Sequence, residues 1–167
     1  MGISSNIKYS NWSTARFPIG KAVIMSDGVG ICAIYAGNEL AAVPAYPGKA
    51  DRPDRLTELA ASQLSEYFAG VRRVFDVPLS LTGTDFQMSV YQALIDIPYG
   101  EVMTYGGLAG YIGRPGAARA VGSACGSNPV PLIVPCHRVI GSSGALTGFG
   151  LGLDIKSQLL ELEGWKK

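Results

Sequence analysis

The chain of 167 residues carries 14 basic and 13 acidic side chains, which gives a formal net charge of +1 at pH 7. This length accommodates one domain or two small ones, and either can bury a working core. An apolar fraction of 47% and a charged fraction of 16% exclude a disordered tail and a nucleic-acid arm held by bulk charge. No run approaches the roughly 18 consecutive apolar residues of a membrane span.

The N-terminus and the cysteines indicate the cellular compartment. The first residues lack the basic region, apolar run and small-residue cleavage site of a secretory signal, so we expect no processing. Three cysteines are a sparse and odd set, typical of a reducing cytosol rather than a disulfide framework. We therefore expect a cytoplasmic monomer without a membrane partner. His137 is the single histidine in the chain, which excludes a site with several histidine ligands.

The first half of the sequence predicts strands followed by one helix. Two apolar, β-prone runs, residues 21–25 and 30–36, flank a hairpin turn at residues 26–28. Residues 45–54 combine proline with a charge cluster and predict a loop. Apolar residues at helical spacing then predict a helix over 56–68 that ends at Gly70. Residues 71–80 are extended and ambiguous.

The character of the sequence changes around residues 81–85, and we place a domain boundary there, between 1–82 and 83–167. Thr84 or Asp85 can cap a helix that Pro98 stops. Two short helices follow, one over 104–111 and one with Pro115 at its first position, with the rhythm of a helix-turn-helix. An extended apolar run over 132–140, a glycine-rich loop over 141–152 and a helix starting near Asp154 complete the chain.

Acidic residues are missing from a long window of the second half. None occurs between Glu101 and Asp154, whereas Arg114, Arg119, Arg138 and the histidine lie inside this window. A polyanion could approach such a surface without repulsion, although few phosphates would be neutralised. The alternative is that the window is simply apolar core and loop.

Cys136, His137 and Arg138 form the cluster with the strongest chemical content. A thiol is a useful nucleophile only as thiolate, which a base such as His137 or the positive potential of Arg138 favours. Since neighbours on an extended strand point to opposite faces, a bridging water or a local bend is needed between the first two. A carboxylate that orients the histidine would complete the set, and spacing alone does not choose between Glu161 and Glu163. An isolated pair of this kind is also compatible with a buried structural thiol.

Residues 134–140, Val-Pro-Cys-His-Arg-Val-Ile, resemble the active-site signature of the O6-alkylguanine-DNA alkyltransferases, also called methylated-DNA–protein-cysteine methyltransferases. The likeness covers residues 84–164 and includes 99–102, 104–105, 117–122, 127–131 and 142–144 in order. It implies an α+β fold, with a small ribonuclease-H-like antiparallel sheet and helices followed by a winged-helix-like domain that contains the helix-turn-helix. The implied function is direct, single-turnover repair of O6-alkylguanine in DNA, with O4-alkylthymine as a further candidate lesion and with no cofactor.

The resemblance also implies a role for each matching residue of the reaction centre. Cys136 would accept the alkyl group, His137 would take its proton through a water, and Glu163 would orient the histidine. Tyr105 would donate a hydrogen bond or proton to the leaving guanine, and Asn128 would brace the turn before the active-site segment. The implied substrate-binding residues, through backbone or side chain, are Val139, Ser142, Ser143, Phe149 and Gly150.

The implied DNA partner is a duplex entered through the minor groove, with the damaged base turned out into a pocket. Small residues would let the helix after Pro115 approach the groove closely, and Arg119 would fill the gap left by the extruded base. The implied DNA-binding residues are Thr104, Tyr105, Arg114, Ala117, Ala118, Arg119 and Gly122. The same small residues could instead allow tight helix packing with Arg119 on a solvated face, and Tyr105 could be a half-buried aromatic residue at a helix start.

Two positions depart from the family pattern. The family usually has tyrosine at the position of Phe149, and often serine or arginine at that of Gly150, so we expect an altered substrate range or slower transfer.

Some members carry an N-terminal zinc site, but Cys32 is the only cysteine in that half and no histidine accompanies it, so we expect no metal.

Three alternative functions differ from this one by class. The first is an alkyltransferase-like protein that binds the lesion without efficient transfer, which the presence of Cys136 disfavours. The second is a transcription regulator, which would place polar base-reading side chains on its second helix. The third is a cysteine hydrolase using Cys136, His137 and Glu163, which would need an oxyanion hole that the sequence does not reveal.

Overall fold

The computed structural model describes residues 7–44 and 51–166. The N-terminal half contains the strands β1 (Asn11–Phe17), β2 (Gly20–Ser26) and β3 (Ile31–Ala36), a 3₁₀ helix (Gly37–Ala42) and helix α1 (Arg55–Phe68). The C-terminal half contains helix α2 (Asp85–Ile95), strand β4 (Met103–Thr104), helices α3 (Tyr105–Tyr111) and α4 (Ala118–Gly126), a second 3₁₀ helix (Cys136–Arg138), strand β5 (Val139–Ile140) and helix α5 (Leu153–Leu162). This order confirms the predicted α+β class.

The sheet of the N-terminal half is antiparallel, with the order β1-β2-β3. In its register Thr14 faces Val23 and Ile24 faces Ile34. The hairpin between β2 and β3 was predicted from its apolar runs, but β1 was missed. β1 has only two buried residues, Trp12 and Phe17, near its two ends, so it lacks the continuous apolar run that marks β2 and β3.

Helices α1 and α2 begin where their capping residues require. The side chain of Asp54 accepts from the backbone N–H of Thr57, and that of Thr84 accepts from the N–H of Gln87, each in a reciprocal capping box. Gly70, with a φ of 76°, follows α1 as a C-terminal glycine does. The predicted loop over 45–54 is only partly described, since residues 45–50 lie outside the described ranges.

Two predictions in the C-terminal half were wrong. Helix α4 starts at Ala118 rather than at Pro115, because Gly116 adopts a left-handed φ of 93° that interrupts the helix. The run 132–140 is not an extended strand: it turns at Leu132, whose φ is 76°, and only Val139–Ile140 pairs, in parallel with Met103–Thr104.

One hydrophobic core joins the two halves. The same cluster of buried residues includes Ile24 and Leu64 from the first half together with Leu94, Cys136 and Leu159 from the second. A backbone hydrogen bond also crosses between the halves, from Ile34 N to Pro129 O at 2.9 Å. The segment that leads to Cys136 is therefore held against the N-terminal sheet.

The helices within residues 7–44 and 51–166 give no indication of membrane insertion. None of them combines the length and the apolar character that a membrane-spanning helix needs.

Candidate active site

Cys136 begins the second 3₁₀ helix and is 5% exposed. Its sulfur accepts a hydrogen bond from Asn128 Nδ2 at 3.2 Å. Asn128 also donates to Val134 O at 2.8 Å and accepts from Val130 N at 3.0 Å. A single amide therefore fixes both the turn that precedes Cys136 and the hydrogen bond to its sulfur.

The environment of Cys136 keeps its thiol protonated in the free protein. Burial raises its pKa to about 11, and the hydrogen bond from Asn128 and the charge of Lys156 lower it only in part. The positive potential near the sulfur was assigned to Arg138 from the sequence. That assignment was wrong, because the Arg138 guanidinium points to Glu163 and the cation that acts on the sulfur is Lys156.

His137 lies fully buried beside a carboxylate. Its Nε2 is 2.8 Å from Glu163 Oε1, and since a carboxylate only accepts, we assign the ring proton to Nε2. Nδ1 is buried, and no protein group among the described residues hydrogen-bonds it. Burial lowers the pKa of His137, which the partnership with Glu163 partly offsets. The imidazole is thus neutral near pH 7, with a free acceptor at Nδ1.

Glu163, immediately after α5, collects hydrogen bonds from four residues. Its Oε1 accepts from Tyr67 at 2.7 Å and from Arg138 Nη2 at 3.0 Å, in addition to the histidine. Its Oε2 accepts from Arg138 Nε at 2.8 Å and from Gly100 N at 3.1 Å. Burial opposes ionisation, but the hydrogen bonds from His137 and Arg138 and the charge of Arg138 hold the pKa of Glu163 well below its usual range.

Geometry also distinguishes the two candidate carboxylates on the last helix. Glu161 is exposed and accepts from Ser157 Oγ at 3.1 Å, whereas Glu163 is 6% exposed and contacts His137. Glu163 is therefore the carboxylate that can orient the imidazole.

Lys156 is a fully buried cation that ties two segments of the site together. Its Nζ donates to Val139 O at 2.6 Å and to Thr147 O at 3.0 Å. Burial lowers its pKa. The backbone N–H of Val139 bonds to Cys136 O, so both backbone groups of Val139 have protein partners. Lys156 thereby fixes the glycine-rich loop relative to the strand that follows Cys136.

A cavity of about 830 Å³ lies between α3, α4 and the glycine-rich loop. Its size suits a ligand as large as a nucleobase. The lining residues come from these three segments: Tyr105, Gly106, Ala118, Arg119, Gly122, Ser123, Gly126, Ser142, Thr147, Gly148, Phe149 and Gly150.

Cys136 lines a second, much smaller cavity of about 10 Å³, together with Asn128 and Glu39. This cavity shares Gly126, Phe149 and Gly150 with the large one. A volume of this size holds about one water-sized group. The sulfur therefore lines a small cavity next to the large one, and the three shared residues lie between the two.

The predicted binding residues divide between the cavity and its surroundings. The lining includes Tyr105, Ala118, Arg119, Gly122, Ser142, Phe149 and Gly150 but not Thr104, Arg114, Ala117, Val139 or Ser143. Thr104 instead caps α3 by accepting from Gly107 N at 3.0 Å. Arg114 and Ser143 are exposed. The hydroxyl of Tyr105 donates to Thr147 O at 3.0 Å, and burial raises the pKa of this tyrosine.

Two residues of the N-terminal half reach this site and were not foreseen. Tyr67 lies on the buried face of α1 and donates to Glu163. A buried tyrosine usually has a hydrogen-bond partner, so its place in the helical pattern was a usable signal. Glu39 lies in the first 3₁₀ helix, and nothing in its local sequence indicates that it faces Cys136.

Metal binding has no structural basis in the described ranges. No group of three or more His, Cys, Asp or Glu side chains there is arranged to hold an ion. Cys32, Cys125 and Cys136 are free and buried.

Two family models cover almost the whole chain. The 6-O-methylguanine DNA methyltransferase, ribonuclease-like domain, matches residues 11–81, and the 6-O-methylguanine DNA methyltransferase, DNA binding domain, matches residues 85–165. These matches confirm the family resemblance and the predicted class of each half.

Two similar proteins are both named methylated-DNA–protein-cysteine methyltransferase. The methylated-DNA–protein-cysteine methyltransferase of Mycobacterium tuberculosis strain H37Rv is 62% identical over 104 residues, which are 62% of this chain and 63% of that protein. The chain thus aligns with somewhat less than two thirds of that relative's length. The enzyme of the same name from Mycolicibacterium paratuberculosis is 54% identical over 120 residues, 72% of each chain.

Solved structures extend the likeness to nearly full length. Mycobacterium tuberculosis OGT in complex with DNA superposes with a TM-score of 0.80 and 46% identity over 92% of both chains. The O6-methylguanine-DNA methyltransferase of Pyrococcus kodakaraensis gives a TM-score of 0.64 at 26% identity, over 92% of this chain and 98% of that one. The chain belongs to the 6-O-methylguanine DNA methyltransferase family.

Proposed function

We propose that this protein repairs O6-alkylguanine in DNA by transferring the alkyl group irreversibly to its own Cys136. The observation that carries the proposal is that Cys136, which precedes the paired His137 and Glu163, lines a small cavity sharing three lining residues with a cavity of about 830 Å³. The names of the relatives, methylated-DNA–protein-cysteine methyltransferases, support the same reaction. O4-alkylthymine is a further candidate lesion.

In the proposed step the sulfur attacks the alkyl carbon while the bond from that carbon to O6 of guanine breaks. The thiol proton passes through a bridging water to Nδ1 of His137, whose opposite nitrogen is held by Glu163. The hydroxyl of Tyr105 turns from Thr147 O and gives its proton to the guanine, which therefore leaves as a neutral base. The proton taken up by His137 is returned to the tyrosine through water. The product thioether has no S–S bond on which thiol–disulfide exchange could act, so one molecule serves one lesion.

DNA engagement is proposed to use residues 83–167, while residues 1–82 support the site from behind. The alkylated base is turned out of the duplex at a cost of a few kcal/mol, and α4 lies in the minor groove. Glycine and alanine along α4 permit a close approach, and the exposed Arg119 at the mouth of the cavity fills the gap in the base stack. The protein acts as a monomer in this scheme.

The decisive experiment is intact-mass and peptide analysis after incubation with a duplex containing O6-methylguanine. The expected result is one added methyl group on the peptide that contains Cys136, with activity ending after one equivalent. Label on Cys32 or Cys125, or repeated turnover, would overturn the mechanism.

The role of Arg119 separates base extrusion from chemistry. Arg119→Ala should slow transfer from duplex DNA more than transfer from the free base O6-benzylguanine, since only the duplex needs its gap filled. Arg55→Ala, at an exposed position of α1 outside the cavity lining, is the matched control. Equal losses of rate on the two substrates in Arg119→Ala would contradict the gap-filling role.

A further inference from the structure

Glu39 brings a carboxyl group from the N-terminal half to the cavity that contains the Cys136 sulfur. Its Oε2 is buried, and no hydrogen-bond partner for it occurs among the described residues. Its other oxygen lies against Gly150, at the place where a Cβ on that residue would be. A buried acceptor without a donor is costly, and Glu39 therefore has capacity for a ligand that supplies one.

Two backbone features fix Glu39 in this place. Asn38 N donates to Leu151 O at 3.2 Å, which ties the first 3₁₀ helix to the glycine-rich loop. Gly37 has a φ of 53°, and a Cβ on it would collide with Leu151 O. The 3₁₀ helix consequently packs so closely on the loop that the glutamate side chain enters the space above Gly150.

The absence of a side chain at Gly150 makes room for the carboxyl group of Glu39. A serine or arginine at position 150 would occupy the volume that the carboxyl group of Glu39 takes, since a Cβ there would already lie 3.0 Å from Glu39 Cδ. The glycine leaves this volume open, and the N-terminal half supplies the functional group.

We propose that Glu39 is a specificity-determining residue that selects the alkyl group: it favours groups bearing a hydrogen-bond donor, such as 2-hydroxyethyl and 2-aminoethyl, over anionic groups such as carboxymethyl. This inference rests on the proposed transfer to Cys136. The alkyl carbon must reach the sulfur through the cavity that both residues line, and that cavity of about 10 Å³ accommodates roughly one methyl-sized group. A second carbon and its polar end therefore meet the wall that Glu39 forms.

The physical basis is the low dielectric of the cavity. An ionised carboxylate only accepts hydrogen bonds, so a hydroxyl or ammonium group satisfies it. A second carboxylate at the same place is repelled, and in a partly buried site such repulsion is stronger than in water. Sites that hydrogen-bond a substrate group discriminate strongly against substrates that lack it.

The test compares transfer rates from four duplexes that carry O6-methyl-, O6-(2-hydroxyethyl)-, O6-(2-aminoethyl)- or O6-carboxymethylguanine. For the wild type, the rates relative to methyl should be at least tenfold higher for hydroxyethyl and aminoethyl than for carboxymethyl. Glu39→Gln should reduce this preference about tenfold, and Glu39→Asp, which keeps the charge, should retain most of it. Glu58→Gln, at an exposed position of α1, should leave all rates unchanged.

The outcomes separate the inference from the proposed function. Absence of methyl transfer by the wild-type protein would overturn the transfer reaction itself. Methyl transfer with equal relative rates for hydroxyethyl and carboxymethyl in the wild type would overturn the role of Glu39 alone. The same conclusion follows if Glu39→Gln, with a circular dichroism spectrum equal to that of the wild type, keeps the wild-type preference.

Discussion

The two ends of the proposed proton path differ sharply in how the protein satisfies them. At the base end, Glu163 accepts from Tyr67, His137, Arg138 and Gly100, and its pKa lies far below the usual range. At the sulfur end, Asn128 is the donor that the structure gives to Cys136, and burial raises the pKa of the thiol to about 11.

This difference indicates a site that is rigid where it accepts the proton and inactive where it holds the nucleophile. A permanently ionised thiol would react with any soft electrophile, whereas a buried, protonated thiol reacts only with a substrate that reaches it. The carboxylate and imidazole need no rearrangement when that happens, because their geometry is already fixed by hydrogen bonds.

The largest expected effect comes from the base end. Glu163→Gln should slow methyl transfer at least about 100-fold, because an amide leaves His137 without its oriented proton partner. It should also lower the free energy of unfolding by about 3 to 5 kcal/mol, since the buried Arg138 loses its counter-charge. Transfer rates and urea denaturation at pH 7.5 measure both.

The exposed Glu161 and the pH dependence of the stability provide the controls for Glu163→Gln. Glu161→Gln should change neither quantity. Because the folded state lowers the pKa of Glu163, its contribution to stability is present above the unfolded value of about 4.3 and decreases as the pH falls below it. A deficit in Glu163→Gln that stays constant down to pH 3 would contradict the assigned charge.

An intermediate effect is expected at the sulfur end. Asn128→Ala removes the hydrogen bond to the thiol, which should raise the pKa of Cys136 further and slow its alkylation by iodoacetamide about tenfold at pH 8. The wild-type rate should rise with pH toward the thiol pKa of about 11.

Cys32 serves as the internal reference for that measurement. Burial raises its pKa to about 12, and it lies far along the sequence from the substitution, so its labelling should be the same in both proteins. A Cys136 labelling rate that reaches a plateau near pH 7 would show that the thiol is ionised in the free protein, which would remove the contrast between the two ends.

The smallest effect is expected from Tyr67→Phe. Burial raises the pKa of this tyrosine, so the hydroxyl acts as a neutral donor to Glu163, and its loss removes one of several hydrogen bonds. Transfer should slow about threefold and stability should fall by about 1 kcal/mol. Tyr111→Phe, which removes an exposed hydroxyl bonded to Asp96 at 3.1 Å, is the control. If Tyr67→Phe had an effect as large as that of Glu163→Gln, the hydroxyl of Tyr67 would not be just one of several donors that hold Glu163.

Local signals in the sequence were sufficient for much of the fold. The β2–β3 hairpin and the caps at Thr84 and Gly70 follow from residues close together in the chain. Strand β1 was missed because its two buried residues, Trp12 and Phe17, join different hydrophobic clusters, so neither an apolar run nor a strict alternation marks the strand. The conformation of 132–140 was misjudged because its apolar residues are buried by the rest of the molecule, and an apolar run alone does not distinguish a strand from a buried turn.

The same distinction applies to the candidate site. The family motif brought Cys136, His137 and Glu163 to attention, and the structure places the last two in contact. The residues that donate hydrogen bonds to Glu163 lie in helices and turns far apart in the sequence. Glu39 is likewise far from Cys136 in the sequence, and only the fold brings the two together. Only tertiary packing places the Arg138 guanidinium against Glu163 and makes Lys156 the cation that acts on the Cys136 sulfur.

The common hydrophobic core has a consequence for the product of the proposed alkyl transfer. Cys136 belongs to the cluster that also contains Ile24 and Leu64, and interiors packed to this density have little spare volume. Since the small cavity beside the sulfur takes roughly one methyl-sized group, carbons beyond the first are an enlargement inside that cluster, of the kind that costs about 1 to 3 kcal/mol. A molecule that has accepted a group larger than methyl should therefore melt at a lower temperature than the unreacted protein.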